Sequence, residues 1–213
     1  MVLDCESALQ RLEDYATRRG LAELRIARDE FHALTGEFSE GESWFETRMT
    51  MFLDWFLLDR VDSSGATINE RYLAAHSAQL RREELAQHRW LNVTLRSAFR
   101  IAKLGGNRLL LRDIIGGGLW SARWTLPTLG LLKNDIIDLR LVRDTQGIVA
   151  GRGAVLHPRE AHEAIEKIVS RAAMARMPRQ KITDHLDKMK LKLDRYANVK
   201  IRHVYQYPDD AFM

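Results

Sequence analysis

The sequence predicts an α+β protein: a helical N-terminal bundle, a small antiparallel β-barrel or bent sheet of about five strands, and C-terminal helices. Three observations carry that prediction. The stretch 41–60, GESWFETRMTMFLDWFLLDR, spreads large apolar side chains over more than half of a helical circumference, wider than the roughly 100° stripe of a surface helix. From residue 93 the apolar period changes from helical to alternating. After Pro158 it returns to helical. The chain therefore divides into a helical region at 1–90, a small barrel at 91–157, and basic helices with a tail at 158–213.

Taken in order, Asp4 to Arg19 reads as a helix with Leu9, Leu12, Tyr15 and Ala16 on one face and Gly20 at its stop. A second runs from Leu21 to Leu34, with Leu24, Ala27, Phe31 and Leu34 as its core stripe and Gly36 as terminator. Both are expected to pack on the central helix 41–60. Ser39 and Glu42 fit a capping box at its start. Its polar strip holds Glu46, Thr47, Thr50 and Asp54, while Arg48 and Asp59 fall inside the apolar arc. Buried, each needs a partner; near the helix ends, both are expected to snorkel outward. Thr67 and Glu70 form a second capping box ahead of a short helix, and 78–89 reads as a polar helical connector.

In the alternating region, Val93, Leu95, Phe99 and Ile101 oppose Arg96, Arg100 and Ala102. Gly105, Gly106 and Asn107 supply a hairpin turn into RLLLRDII. Gly116 to Gly118 precedes LWSARW, and 135–143 alternates again before a turn at 144–147 into GIVAGRGAVLH. Gly151 and Gly153 mark close backbone approach or bulging. Pro158 suits the first turn of a helix reaching about Met177. Pro178 breaks the chain before a basic amphipathic helix with Ile182, Leu186, Met189 and Leu193 at helical spacing. Val204, Tyr205 and Tyr207 then either add an edge strand or lie against the core.

Composition narrows the function classes. The 46% hydrophobic and 29% charged content is ordinary for a globular chain. No apolar run approaches the roughly 18 residues needed to cross a bilayer, and the acidic start MVLDCESALQ lacks the basic region of a signal peptide. A cytoplasmic protein without membrane partners is expected. Cys5 is the single cysteine, so no internal disulfide and no multi-cysteine zinc site can form. The charge is uneven: residues 1–61 carry 13 acidic and 7 basic side chains, 62–157 carry 8 and 14, and 158–213 carry 8 and 12. That asymmetry points to two modules, to an electrostatically steered partner, or to attraction between the chain's own parts.

No catalytic or cofactor signature stands out. The Gly116–Gly118 run lacks the Lys-Ser/Thr of a phosphate loop and precedes a strand, where a dinucleotide fold needs a helix. His157, His162, Glu160 and Glu163 lack a metal-protease spacing and a third convergent ligand. No GxSxG elbow is present. Catalytic residues, a metal site and a cofactor are therefore not expected. The basic strand residues make the functional argument: Arg96, Arg100 and Lys103, then Arg108 and Arg112, then Arg123, Arg140, Arg143 and Arg152. Gathered on one face, they neutralise phosphates or an acidic partner, with Trp120 and Trp124 as stacking candidates. The last helices add Arg171, Arg176, Arg179, Lys181, Lys188, Lys190, Lys192 and Arg195.

Within 114–164, the segments DIIGGGLW and LLKNDIIDLRLVRDTQGIVAGRGAVLHPREAHEAI resemble the β-rich half of uncharacterised bacterial proteins that pair an N-terminal helical region with a small barrel. The resemblance covers about a quarter of the chain. It implies the architecture and no activity. The expected function is protein association without catalysis, through a protein partner or as a homo-oligomer. Nucleic-acid binding by the basic barrel face and C-terminal helix is the alternative.

Overall fold

The computed structural model describes residues 5–18, 20–125, 130–196 and 199–206. Among them lie eight α-helices and five strands in α+β order. Helices α1 (Cys5–Arg18), α2 (Leu21–Thr35), α3 (Phe45–Leu58), α4 (Ile68–His76) and α5 (Arg82–Leu91) precede the strands β1 (Leu95–Gly105), β2 (Arg108–Asp113), β3 (Leu119–Arg123), β4 (Ile136–Asp144) and β5 (Gly147–Leu156). A 3-10 turn, Arg159–Ala161, leads into α6 (His162–Met174), α7 (Arg179–Arg195) and α8 (Ile201–Val204). No described helix is long and apolar enough to cross a membrane.

The strands join in a ring, β1-β2-β3-β5-β4. The sheet was expected to be wholly antiparallel, and it is mixed: β3 and β5 run parallel, paired through Arg123 and Val149. Parity requires this, because five strands closed in a ring cannot alternate direction all the way round. The other four pairings are antiparallel. One side of the strands fills the ring with Phe99, Ile101, Leu109, Leu111, Ala122, Trp124, Ile137, Leu139 and Leu141. The other side is divided. Val142, Val149 and Val155 pack with the N-terminal helices, and Ala98 and Ile136 pack with α6 and α7.

Helix α3 holds the middle of the N-terminal half: Phe52 and Trp55 meet Phe31 of α2, and Gly153 lets α3 lie directly on β5. A Cβ there would stand 2.7 Å from Met51 Cγ. The helix begins at Phe45, later than the sequence implies. Ser39 and Glu42 close a turn instead, with the Ser39 amide donating to the Glu42 carboxylate at 3.0 Å. The second capping box forms as expected, Glu70 N donating to Thr67 Oγ1 at 3.2 Å and Thr67 N to the Glu70 carboxylate at 2.8 Å. Two other expectations change, at α5 and at Leu34 and Val93, and of the two readings of the tail the one against the core is found for Val204 and Tyr205. Helix α5 is a packed element with Gln87, His88 and Leu91 buried. Leu34 and Val93 stand exposed. Residues 201–204 coil into α8, with Val204 and Tyr205 buried in the core; Tyr207 lies outside the described residues.

Candidate functional site

Strand register puts arginine opposite arginine three times: Arg96 with Arg140, Arg100 with Arg112, and Arg108 with Arg123. Like charges directly opposed repel, so the negative charge near each pair decides what it can do.

The Arg96–Arg140 pair is closed off. Arg96 reaches Asp184 at 2.8 Å and Asp187 on α7, with Asp138 of β4 at 3.8 Å. Burial opposes its charge, but Asp187, Asp138 and Asp184 outweigh it and its pKa rises. Arg140, 4% exposed, pairs with Asp59 and donates to Thr94 Oγ1 at 2.6 Å. Arg48 of α3 joins this buried cluster. It is 2% exposed and donates to the Asp187 carbonyl at 2.8 Å, so the expected snorkelling of Arg48 is overturned. Asp54, expected on a polar strip, is likewise buried, 3.2 Å from Arg152. Burial first, then Asp187, pushes the Asp138 carboxyl well above the ordinary range.

Further round the ring, Arg152 binds Glu13 and Asp54 at 2.9 and 3.2 Å, and Arg123 binds Asp144 and Gln146. Arg143 is exposed and lies over the Trp90 ring, 5.2 Å from its centroid. Much of the basic face thus docks on the chain's own carboxylates, several from the acidic N-terminal helices.

A smaller set remains open. Arg108 donates to the side chain and carbonyl of Ser121, at 3.1 and 3.0 Å. Arg100 is half-buried between Glu166 and the Asn134 carbonyl. Lys103, Arg108 and Arg112 are exposed and have no carboxylate partner among the described residues. Leu119, 52% exposed, shares their face. Beside Arg112, an open groove of about 480 Å³ runs between Gly117–Gly118 and α6. The two stacking candidates are not on this face. Trp124 is 6% exposed and Trp120 packs with it inside the ring, because both alternate with the outward Leu119, Ser121 and Arg123.

The glycine loop after β2 is already occupied by a carboxylate. Asp113, 3% exposed, accepts from the amides of Ile115 and Gly116, both at 3.0 Å, and from Ser97 and Arg179, both at 2.6 Å. A side chain at Gly116 would collide with Arg179. Among the histidines, His157 is 1% exposed and hydrogen-bonds the Tyr205 hydroxyl at 2.9 Å. Burial lowers its pKa to about 3, with Lys190 and Arg48 contributing. His162 Nε2 accepts from the Ile136 amide at 3.3 Å. Among the described residues no group of three His, Cys, Asp or Glu converges on a metal position.

The buried cluster escaped the sequence reading, although a signal existed. Asp184, Asp187 and Leu191 share a helical face at i, i+3 and i+7, and Asp138 shares its strand face with Ile136, Arg140 and Val142. No family model, curated protein or solved structure matches the chain.

Proposed function

We propose that the protein works by protein association, without catalysis, through the uncovered outer face of β1, β2 and β3. The strand ring, which we read as a small barrel, presents this face rigidly, and its partner is an acidic protein surface. One observation carries the reading: Lys103, Arg108 and Arg112 stand exposed on the outer face of β1 and β2 and lack a carboxylate partner among the described residues, with Leu119 beside them. A matching surface exists in the same chain. Asp29, Glu37, Glu40 and Glu46 are exposed on the N-terminal half, so a second copy fits the charges.

Light scattering after size exclusion, at 50 and 500 mM salt, tests this. The expected result is a mass above that of the monomer at low salt, decreasing at high salt as exposed charges are screened. The Arg108→Glu/Arg112→Glu variant is expected to stay monomeric. A strict monomer at every salt and protein concentration overturns self-association. A labelled oligonucleotide that shifts with the native protein and not with the variant favours nucleic acid as partner instead; the inward tryptophans argue against that outcome.

A further inference from the structure

Across β3 from the Arg108 end of that face, a cavity of about 220 Å³ lies between α1, α3 and the strands. Three guanidinium groups from three strands line it: Arg123 of β3, Arg140 of β4 and Arg152 of β5. Their terminal nitrogens are held by carboxylates, which fixes the groups in place. The Nε–H groups of Arg140 and Arg152 are buried and have no acceptor among the described residues. Buried donors in folded proteins are nearly always satisfied, and Arg140 is 4% exposed. Leu9, Leu58, Val142 and Val149 also line the cavity and give it an apolar wall.

We infer that this cavity is a binding site for a small organic anion, a carboxylate carried on a compact apolar body. The carboxylate accepts from the orphaned guanidinium edges, and the body covers the aliphatic wall. Size sets the class: a cavity of about 150 Å³ accommodates benzene, so this one suits an arene or branched aliphatic acid of about ten non-hydrogen atoms. Inorganic phosphate offers the charge without the apolar body. The Asp54 carboxyl also lines the cavity and is pushed upward by burial. The site uses none of Lys103, Arg108 and Arg112, although its Arg123 stands across the strand register from Arg108.

The test is a titration of the full chain with sodium benzoate, followed by methyl NMR. Saturable shifts confined to Leu9, Leu58, Val142 and Val149 are expected, with acetate, inorganic phosphate and benzyl alcohol each binding at least tenfold more weakly. Arg152→Gln, at a position that is 30% exposed, is expected to weaken benzoate at least tenfold while keeping the native spectrum. Leu9→Phe, which fills the apolar side, is expected to block it. Benzyl alcohol binding as well as benzoate overturns the role of the arginines, and phosphate binding as well overturns the role of the wall. An absence of saturable shifts with benzoate overturns the site. Arg108→Glu/Arg112→Glu should bind benzoate normally, so failure here is distinguishable from failure of the association reading.

Discussion

Asp138 and Asp187 sit in one buried cluster, yet they should respond oppositely to neutralisation. Asp187 is fully buried and makes the direct ion pair with Arg96. Removing one member of a buried pair strands the other charge, at a cost of about 3–5 kcal/mol. Both Asp138 oxygens lack a hydrogen-bond partner, and burial holds that carboxyl toward its protonated form. Asp187→Asn is therefore expected to destabilise by about 3 kcal/mol or more. Asp138→Asn should cost little at pH 7, as read by urea denaturation. A larger loss for Asp138→Asn than for Asp187→Asn would refute this division of labour. The pH dependence follows from the same site. His157 has its pKa lowered to about 3 by burial, against about 6.5 in an unfolded chain. Between those values the unfolded state holds a proton that the folded state refuses, so stability present above pH 6.5 is lost on acidification. From pH 7 to pH 5 that single group removes about 2 kcal/mol. Asp138 works in the other direction: its raised pKa means the folded state keeps a proton the unfolded chain has released, and that contribution is lost as pH rises. His157→Gln should flatten the loss between pH 7 and 5, and Asp138→Asn should steepen it.

Among the elements, those governed by local sequence were legible and those governed by distant partners were not. The Thr67–Glu70 box depends on four consecutive residues, and it forms. The hairpin at Gly106 turns with φ of 56° as glycine permits. The Ser39–Glu42 signal is equally local, but Trp44 and Phe45 are drawn into the apolar cluster of the N-terminal half and α3 starts there. Burial of Arg48 could not be read from its helix, since its acceptor is the carbonyl of Asp187, 139 residues away. Likewise the spacing of the basic strand residues revealed their faces, while the helices covering Arg96 and Arg140 come from both ends of the chain. Gly153 was read as a point of close approach, and α3 makes that approach. Gly153→Ala should cost about 1–3 kcal/mol through overpacking against Met51. Met51→Ala, itself destabilising, should relieve most of that cost in the double variant. Strict additivity in a double-mutant cycle of thermal midpoints would show that Met51 is not the obstructing group.

Across the whole molecule, the charge asymmetry of the sequence is largely spent on assembly. Glu13, Asp54 and Asp59 from the acidic N-terminal third meet Arg152 and Arg140 of the strands, while Asp184 and Asp187 of the C-terminal helices meet Arg96. The ring consequently carries on its outside arginines and a carboxyl that the helices enclose. Val142, Val149 and Val155 need α1 and α3 for cover, and Ala98 and Ile136 need α6 and α7. A three-part division by sequence pattern therefore need not be a division into independent folding units. A fragment spanning 93–157 is expected to show no cooperative thermal transition, because excision exposes that apolar surface and removes five of the carboxylates that balance Arg96, Arg140 and Arg152. Supplying residues 158–206 in the same fragment should not rescue it, since the α3 side stays bare. A cooperative transition with dispersed amide signals from 93–157 alone would establish the ring as a domain in its own right, and would make the enclosed ion pairs interdomain contacts instead of parts of one core.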